Sequence, residues 1–161
     1  MIRKAQNKDK EQIVNIFCSN IDKQRSYISH GEIQMGIATD SENLSNDYIE
    51  KWSRYLDAQM DKFSETVFVY EQDGTVEGFI IGEIDSDRDE KFGVICDLVV
   101  KPDIRNKGVG SRLLDFLLNR FSELKVNDFY LESGVNNHEA HEFFKKKGFE
   151  KVSSIFRLNN K

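Results

Sequence analysis

Between Asp97 and Leu114 the chain reads DLVVKPDIRNKGVGSRLL. An apolar strand ends, a turn carrying Arg105, Asn106 and Lys107 follows, and Gly108 and Gly110 open a leucine-rich helix. Glycines let backbone N–H groups approach an anion with no Cβ in the way. A helix start adds donors without an intrahelical acceptor and a partial positive charge. Arg105 and Lys107 add whole charges. This is the chemistry of a pyrophosphate cradle. Two other phosphate patterns are excluded. The P-loop needs a Lys-Ser/Thr pair after the second glycine of G-x-x-x-x-G, which is missing. The dinucleotide pattern G-x-G-x-x-G has Leu113 at its third glycine position. A plain loop has no use for two close glycines and two cations at the start of a helix.

Other reactive side chains have quieter readings. His138 and His141 stand three apart, without the i, i+4 spacing of H-E-x-x-H and without a third ligand, so no metal site is expected. Cys18 and Cys96 read as small core residues with no metal or disulfide spacing. The stripe of Tyr48, Trp52, Tyr55, Leu56, Met60 and Phe63 reads as core, with Trp52 or Tyr55 able to wall an amine pocket by cation–π contact. Lys145–Lys147 read as a solvated helix end.

The elements that must carry these residues follow from periodicity. A short strand is expected at Ile2–Ala5 and a helix over Lys8–Ile21, whose Ile13, Ile16, Phe17 and Ile21 share a face. Residues 22–44 have no clean period and read as a long loop with one helical turn. A second helix is expected over Asn46–Phe63. Strands follow from Thr66 and from Val76, joined by the hairpin signal Asp73-Gly74. Asp85–Glu90 reads as a charged turn. Phe92–Val100, FGVICDLVV, is apolar on both faces and belongs at the centre of a covered sheet. A helix over Gly108–Phe121, a strand over Asn127–Ser133 and a helix over Asn137–Lys147, closed by Gly148, come next. Final strands are expected at Phe149–Lys151 and Ser154–Leu158. The sum is a mixed α/β fold in one domain spanning residues 1–161.

Composition excludes several classes. The 161 residues carry 28 acidic and 23 basic side chains, a net charge of −5, which argues against a nucleic-acid binder. No apolar run approaches the ~18 residues of a membrane helix. The N-terminus has no secretory pattern, and two cysteines suit a reducing, cytoplasmic setting.

The pattern R-x-x-G-x-G between a strand and a helix, with L-x-V-x-P upstream, resembles the acetyl-CoA-binding motif of the GNAT superfamily of N-acetyltransferases. A second stretch, NHEAHEFFKKKGF from Asn137 to Phe149, resembles that family's N-x-x-A-x-x-F-Y-x-x-x-G-F segment. The resemblance covers residues 67–149 well and the first third only by element order. It implies a mostly antiparallel central sheet whose middle strands splay, with helices on both faces. It implies that acetyl-CoA serves as cosubstrate. Backbone groups of Leu98, Val99 and Val100 would pair with the pantetheine arm. Arg105, Asn106, Lys107, Gly108, Val109, Gly110 and Ser111 would hold the pyrophosphate. Asn137 would meet the arm, and Phe144 would lie near the cofactor's far portion.

Amide formation from a thioester requires a neutral amine, a stabilised oxyanion and a departing thiolate. Relatives often carry a carboxylate in the central strand, and Asp97 is the only acid between Phe92 and Val100. It reads either as a general base or ammonium anchor, or as a carboxylate bonded to backbone at the splay. The tyrosine that many members use to protonate the thiolate is Phe144 here. His141, Tyr130 and Tyr27 are the substitute acids. The expected activity is acetyl transfer to a primary amine of a small molecule in a ternary complex. The alternative is a non-catalytic, acyl-CoA-sensing domain. The resemblance also admits a homodimer.

Overall fold

The computed structural model describes residues 1–86 and 89–161. Five strands form one sheet in the order β1-β2-β3-β4-β5. They are β1 (Ile2–Lys4), β2 (Val67–Gln72), β3 (Thr75–Asp85), β4 (Phe92–Val100) and β5 (Phe129–Leu131). The first three pairings are antiparallel and β4–β5 is parallel. Helices α1 (Lys10–Lys23), α2 (His30–Gln34) and α3 (Tyr48–Lys62) intervene between β1 and β2. Helix α4 (Val109–Glu123) links β4 to β5, and α5 (His138–Lys146) follows β5.

Helices cover both faces of the sheet because each carries an apolar stripe at helical spacing. On one face Ile13, Phe17 and Ile21 of α1 and Trp52, Leu56 and Met60 of α3 pack on Val69, Phe79 and Ile81. Phe17 stacks on the fully buried Trp52 with ring centres 4.0 Å apart. On the other face Leu113, Leu114, Leu117 and Phe121 of α4 pack on Phe68, Ile80 and Ile95. A Cβ on Gly82 or Gly93 would stand 2.8 Å from Leu117 or Phe121, so α4 lies as close to the sheet as glycine permits.

The expected elements are present with small shifts at their ends, and the mixed α/β class holds. The span read as loop with one turn contains a 3-10 turn at Arg25–Tyr27 as well as α2. The Asp73-Gly74 hairpin has both residues at positive φ, 51° and 79°. The charged turn expected over 85–90 includes residues 87 and 88, which lie outside the described residues. One expectation fails: residues 149–161 form neither of the two final strands. Their apolar residues suit a strand, but no strand among the described residues pairs with them.

Candidate active site

Strand β4 carries the site, and two irregularities shape it. The first is a bulge. Ile81 pairs with Asp97 while Gly82 pairs with Ile95, leaving Cys96 as an extra residue on β4. Ile95, Leu98 and Val100 pack toward α4, whereas Cys96 and Val99 pack toward α1 and α3. The bulge turns Asp97 to the same side as Cys96, where the Tyr27 hydroxyl donates to Asp97 Oδ1 at 2.7 Å. Bulges commonly re-aim a side chain in this way. The second irregularity is a splay. β5 pairs with β4 only over Gly93–Ile95. From Cys96 to Val100 the outward edge of β4 faces no strand among the described residues, and a rank of main-chain groups lies open beside Asp97.

The electrostatics centre on Asp97, which is 6% exposed. Burial holds its carboxyl well above the ordinary carboxylate value, Glu32 pushes it further up, and the Tyr27 and Tyr55 hydroxyls oppose both. Glu32 of α2 is also buried, and its carboxyl is raised by burial against a 2.6 Å hydrogen bond from Ser29. Burial first, then the nearby Asp97, keep the Tyr27 phenol protonated far beyond its usual range. The loop bearing Tyr27 is fixed against the chain beyond β5. A Cβ on Gly134 would collide with the carbonyl of Ile28 and stand 2.7 Å from that of Ser26. The Gly31 amide donates to Glu132 at 2.9 Å, closing the same seam.

At the far end of β4 the turn reverses through left-handed Asn106 (φ 62°) and Gly108 (φ 80°) before α4 begins. Asn106, Lys107 and Gly108 are exposed. A Cβ on Gly108 would meet nothing within 4 Å, and one on Gly110 only a Val100 methyl at 3.8 Å. The space before the first amides of α4 is therefore open, as an anion bound there requires, with Val109 buried behind as the anchor and Ser111 in the first turn. Arg105 makes hydrogen bonds within the chain. Its Nε donates to the Val100 carbonyl at 2.9 Å and its Nη2 to Asn20 Oδ1 at 2.6 Å. It thus pins α1 to the end of β4, and the Val100 carbonyl already has a partner. A cavity of about 560 Å³ lies between α1 and this strand end, lined by Asn15, Ser19, Asn20, Val99, Val100 and Arg105 among others.

The other expected residues lie on or near α5. Asn137 caps that helix, accepting from the Ala140 amide at 3.4 Å. Phe144 packs edge-on against Phe143 and Phe149. His141 is held by the Gly134 carbonyl, 2.9 Å from its Nε2, and no hydrogen bond among the described residues joins it to Asp97. The Tyr130 hydroxyl donates to Asp128 at 3.1 Å. Of the three substitute acids, the structure thus pairs Tyr27 with Asp97. Sequence reasoning overlooked Asn20 and Glu132. Asn20 could have been found, because a polar residue on the apolar stripe of α1 needs a partner; Glu132 left no such signal.

Residues 36–149 match the model of the acetyltransferase (GNAT) family. An uncharacterised N-acetyltransferase of Methanocaldococcus jannaschii is 29% identical over 110 residues, 66% of this chain and 49% of that protein. The match therefore spans about half the length of that curated relative. The protein PH1933 of Pyrococcus horikoshii superposes with a TM-score of 0.75 at 22% identity, over 97% of this chain and 92% of that one. A predicted acetyltransferase of Clostridium acetobutylicum, solved with acetyl-CoA, gives 0.69 at 19% identity, over 99% and 95% of the two chains. At these identities the two structures share the fold.

Proposed function

The chain belongs to the acetyltransferase (GNAT) family, and on that premise we propose that residues 1–161 form one domain that moves an acetyl group from acetyl-CoA to a primary amine of a small molecule. Both substrates are bound together and the amine attacks directly. The observation that carries this reading is the open edge of β4, which begins beside the Asp97–Tyr27 pair and ends at the open space around Gly108 and Gly110 before α4. Acetyl-CoA supplies an acyl group on a thioester. The edge of Leu98 and Val99 suits its amide-bearing arm, and the amides of Gly108 to Ser111, with Lys107, suit its pyrophosphate. Arg105 keeps the strand end and α1 in place for that arrangement.

Asp97 takes the acceptor's proton, directly or through a water. An alkyl ammonium has a pKa near ~10, so a carboxylate held above its usual value is a better-matched base at neutral pH. An open N–H of β4 stabilises the carbonyl oxygen as it gains charge. Tyr27, hydrogen-bonded to Asp97, relays to the departing thiolate the proton that Asp97 has taken from the amine, giving its hydroxyl hydrogen as it receives that proton, a step Phe144 cannot serve. A thiol of pKa near ~8.5 is easily expelled, so this last step makes the smallest demand. His141, another substitute acid named for this step, lies with its Nε2 2.9 Å from the Gly134 carbonyl.

Thiol release from acetyl-CoA, measured with a panel of small primary amines, tests the reading. At least one amine should give acetylated product with matching thiol release. Tight acetyl-CoA binding with no product from a broad panel would favour the acyl-CoA-sensing alternative, to which Phe144 lends its one observation.

A further inference from the structure

An alkylamine meets the site as an ammonium, with a pKa near ~10. Its nitrogen must shed one proton before it can attack and a second as the amide forms. One of the two passes through Tyr27 to the thiolate. The other has to leave a pocket in which the receiving carboxyl, Asp97, is 6% exposed. The face of the sheet under α3 is apolar, built of Trp52, Leu56, Met60, Phe79 and Ile81, yet a file of polar groups crosses it from Asp97. The Tyr55 hydroxyl meets the carboxyl of Asp97 and the thiol of Cys96. The thiol meets the carboxyl of Glu83. Gln59, one turn beyond Tyr55 on α3 and itself buried, fixes the end of the file: its Nε2 donates to Glu83 Oε2 at 2.8 Å and reaches Cys96 Sγ at 3.8 Å. The strand register agrees. Asp97 pairs with Ile81, and Glu83 lies two residues further along β3 on the same face, ~7 Å away. Successive residues of a regular strand face opposite ways, and only the bulge lets Cys96 and Asp97 both face α3. Glu83 is half-buried, so the file ends where water begins. Burial keeps the Tyr55 phenol and the Cys96 thiol protonated, as members that pass a proton on must be. The titratable groups facing Asp97 are Tyr27 from the loop before α2, Glu32 from α2, Tyr55 from α3 and Cys96 from β4, and none is a cation.

We propose that Tyr55, Cys96 and Glu83 carry the acceptor's first proton from Asp97 to water, while Tyr27 serves the second. This outlet rests on the acetyl transfer proposed for the site. The ammonium gives a proton to the Asp97 carboxylate. Asp97 gives one to the Tyr55 oxygen as the Tyr55 hydroxyl hydrogen moves to Cys96 Sγ. The thiol hydrogen moves to the Glu83 carboxylate, which yields it to water. Each protein group ends with the protons it began with, and the nitrogen is left neutral with its lone pair free. Gln59 is the positioning residue that holds Glu83 beside the thiol.

Acceptors that differ in basicity but little in shape test the outlet. Ethylamine arrives as an ammonium and has a first proton to shed; trifluoroethylamine arrives neutral and has none. Tyr55→Phe and Glu83→Gln should lower kcat/KM for ethylamine by about tenfold or more, as loss of a proton-transfer group does. Both should leave kcat/KM for trifluoroethylamine close to that of the parent chain, and acetyl-CoA affinity unchanged. Cys96→Ala should show the same loss, and Cys96→Ser, which restores a proton-carrying group, should recover most of it. With any other alkylamine that the chain acetylates, the deficit of the variants should shrink as pH rises toward the acceptor's own pKa. Equal losses on both acceptors, or a deficit that pH does not change, overturns the outlet and leaves the acetyl transfer standing. A parent chain that acetylates no amine overturns both.

Discussion

At the scale of single residues, Asp97 links reactivity to stability. Its folded value is raised, mainly by burial. The folded chain therefore holds that proton more tightly than the unfolded chain does. Asp97 makes stability decline as pH rises from the ordinary carboxylate value to the raised one, and contributes no further change above it. Asp97→Asn should abolish that decline in melts taken across this range, while lowering turnover by about 10²-fold or more, as loss of a general base does. Parallel losses of turnover and acetyl-CoA affinity would give Asp97 a purely structural part. Gly110 gives a second separation. An aspartate in the first turn of a helix is favourable for the dipole, and open space surrounds this position. Gly110→Asp should leave the melting temperature nearly unchanged. It should weaken acetyl-CoA binding at least tenfold, ~1.4 kcal/mol, in calorimetry. Equal affinity for both proteins would remove the start of α4 from the site.

Elements meet around β4 through contacts that leave no spare room. Gly134 is where the Tyr27 loop touches the chain beyond β5, and its neighbours there are backbone carbonyls, which cannot step aside as a side chain can. Gly134→Ala should force that loop outward, separate Tyr27 from Asp97 and reduce turnover more than acetyl-CoA affinity. Wild-type kinetics in that variant would show the seam to be incidental. Gly93→Ala presses instead on the Phe121 ring and should destabilise by about 1–3 kcal/mol, the usual range for overpacking, as read from denaturant midpoints. These helices and strands were legible from periodicity because burial selects one face of each. The turn at Gly108 was legible because its left-handed conformation restricts residue type. The bulge at Cys96 was not, since an extra residue leaves no mark in a run that is apolar on both faces. Nor was the post of Arg105. A sequence shows that a guanidinium is available, but its partner Asn20 lies 85 positions away.

For the molecule as a whole, an ion network ties the chain just before α1 to the edge of the sheet. Arg3 of β1 reaches both oxygens of the buried Asp9 at 2.7 and 2.9 Å and also pairs with Glu71 of β2. Asp9 is lowered, chiefly by that hydrogen-bonded guanidinium. Its contribution is present above the ordinary carboxylate value and is lost as pH falls toward the lowered one, opposite in sign to Asp97. Arg3→Ala leaves Asp9 buried without its cation and should cost about 3 kcal/mol near neutrality, with a smaller difference between variant and parent in acid melts. A constant difference at every pH would assign the loss to packing alone. The bulge in β4 carries a consequence for descent. Excising Cys96 would leave Asp97 and Tyr27 in the chain and, by restoring strict alternation after Ile95, would keep Asp97 on the side of α1 and α3, but it would remove the kink that aims the carboxylate at Tyr27. A single-codon deletion there would thus shift the carboxylate against its tyrosine while the letters of both survived.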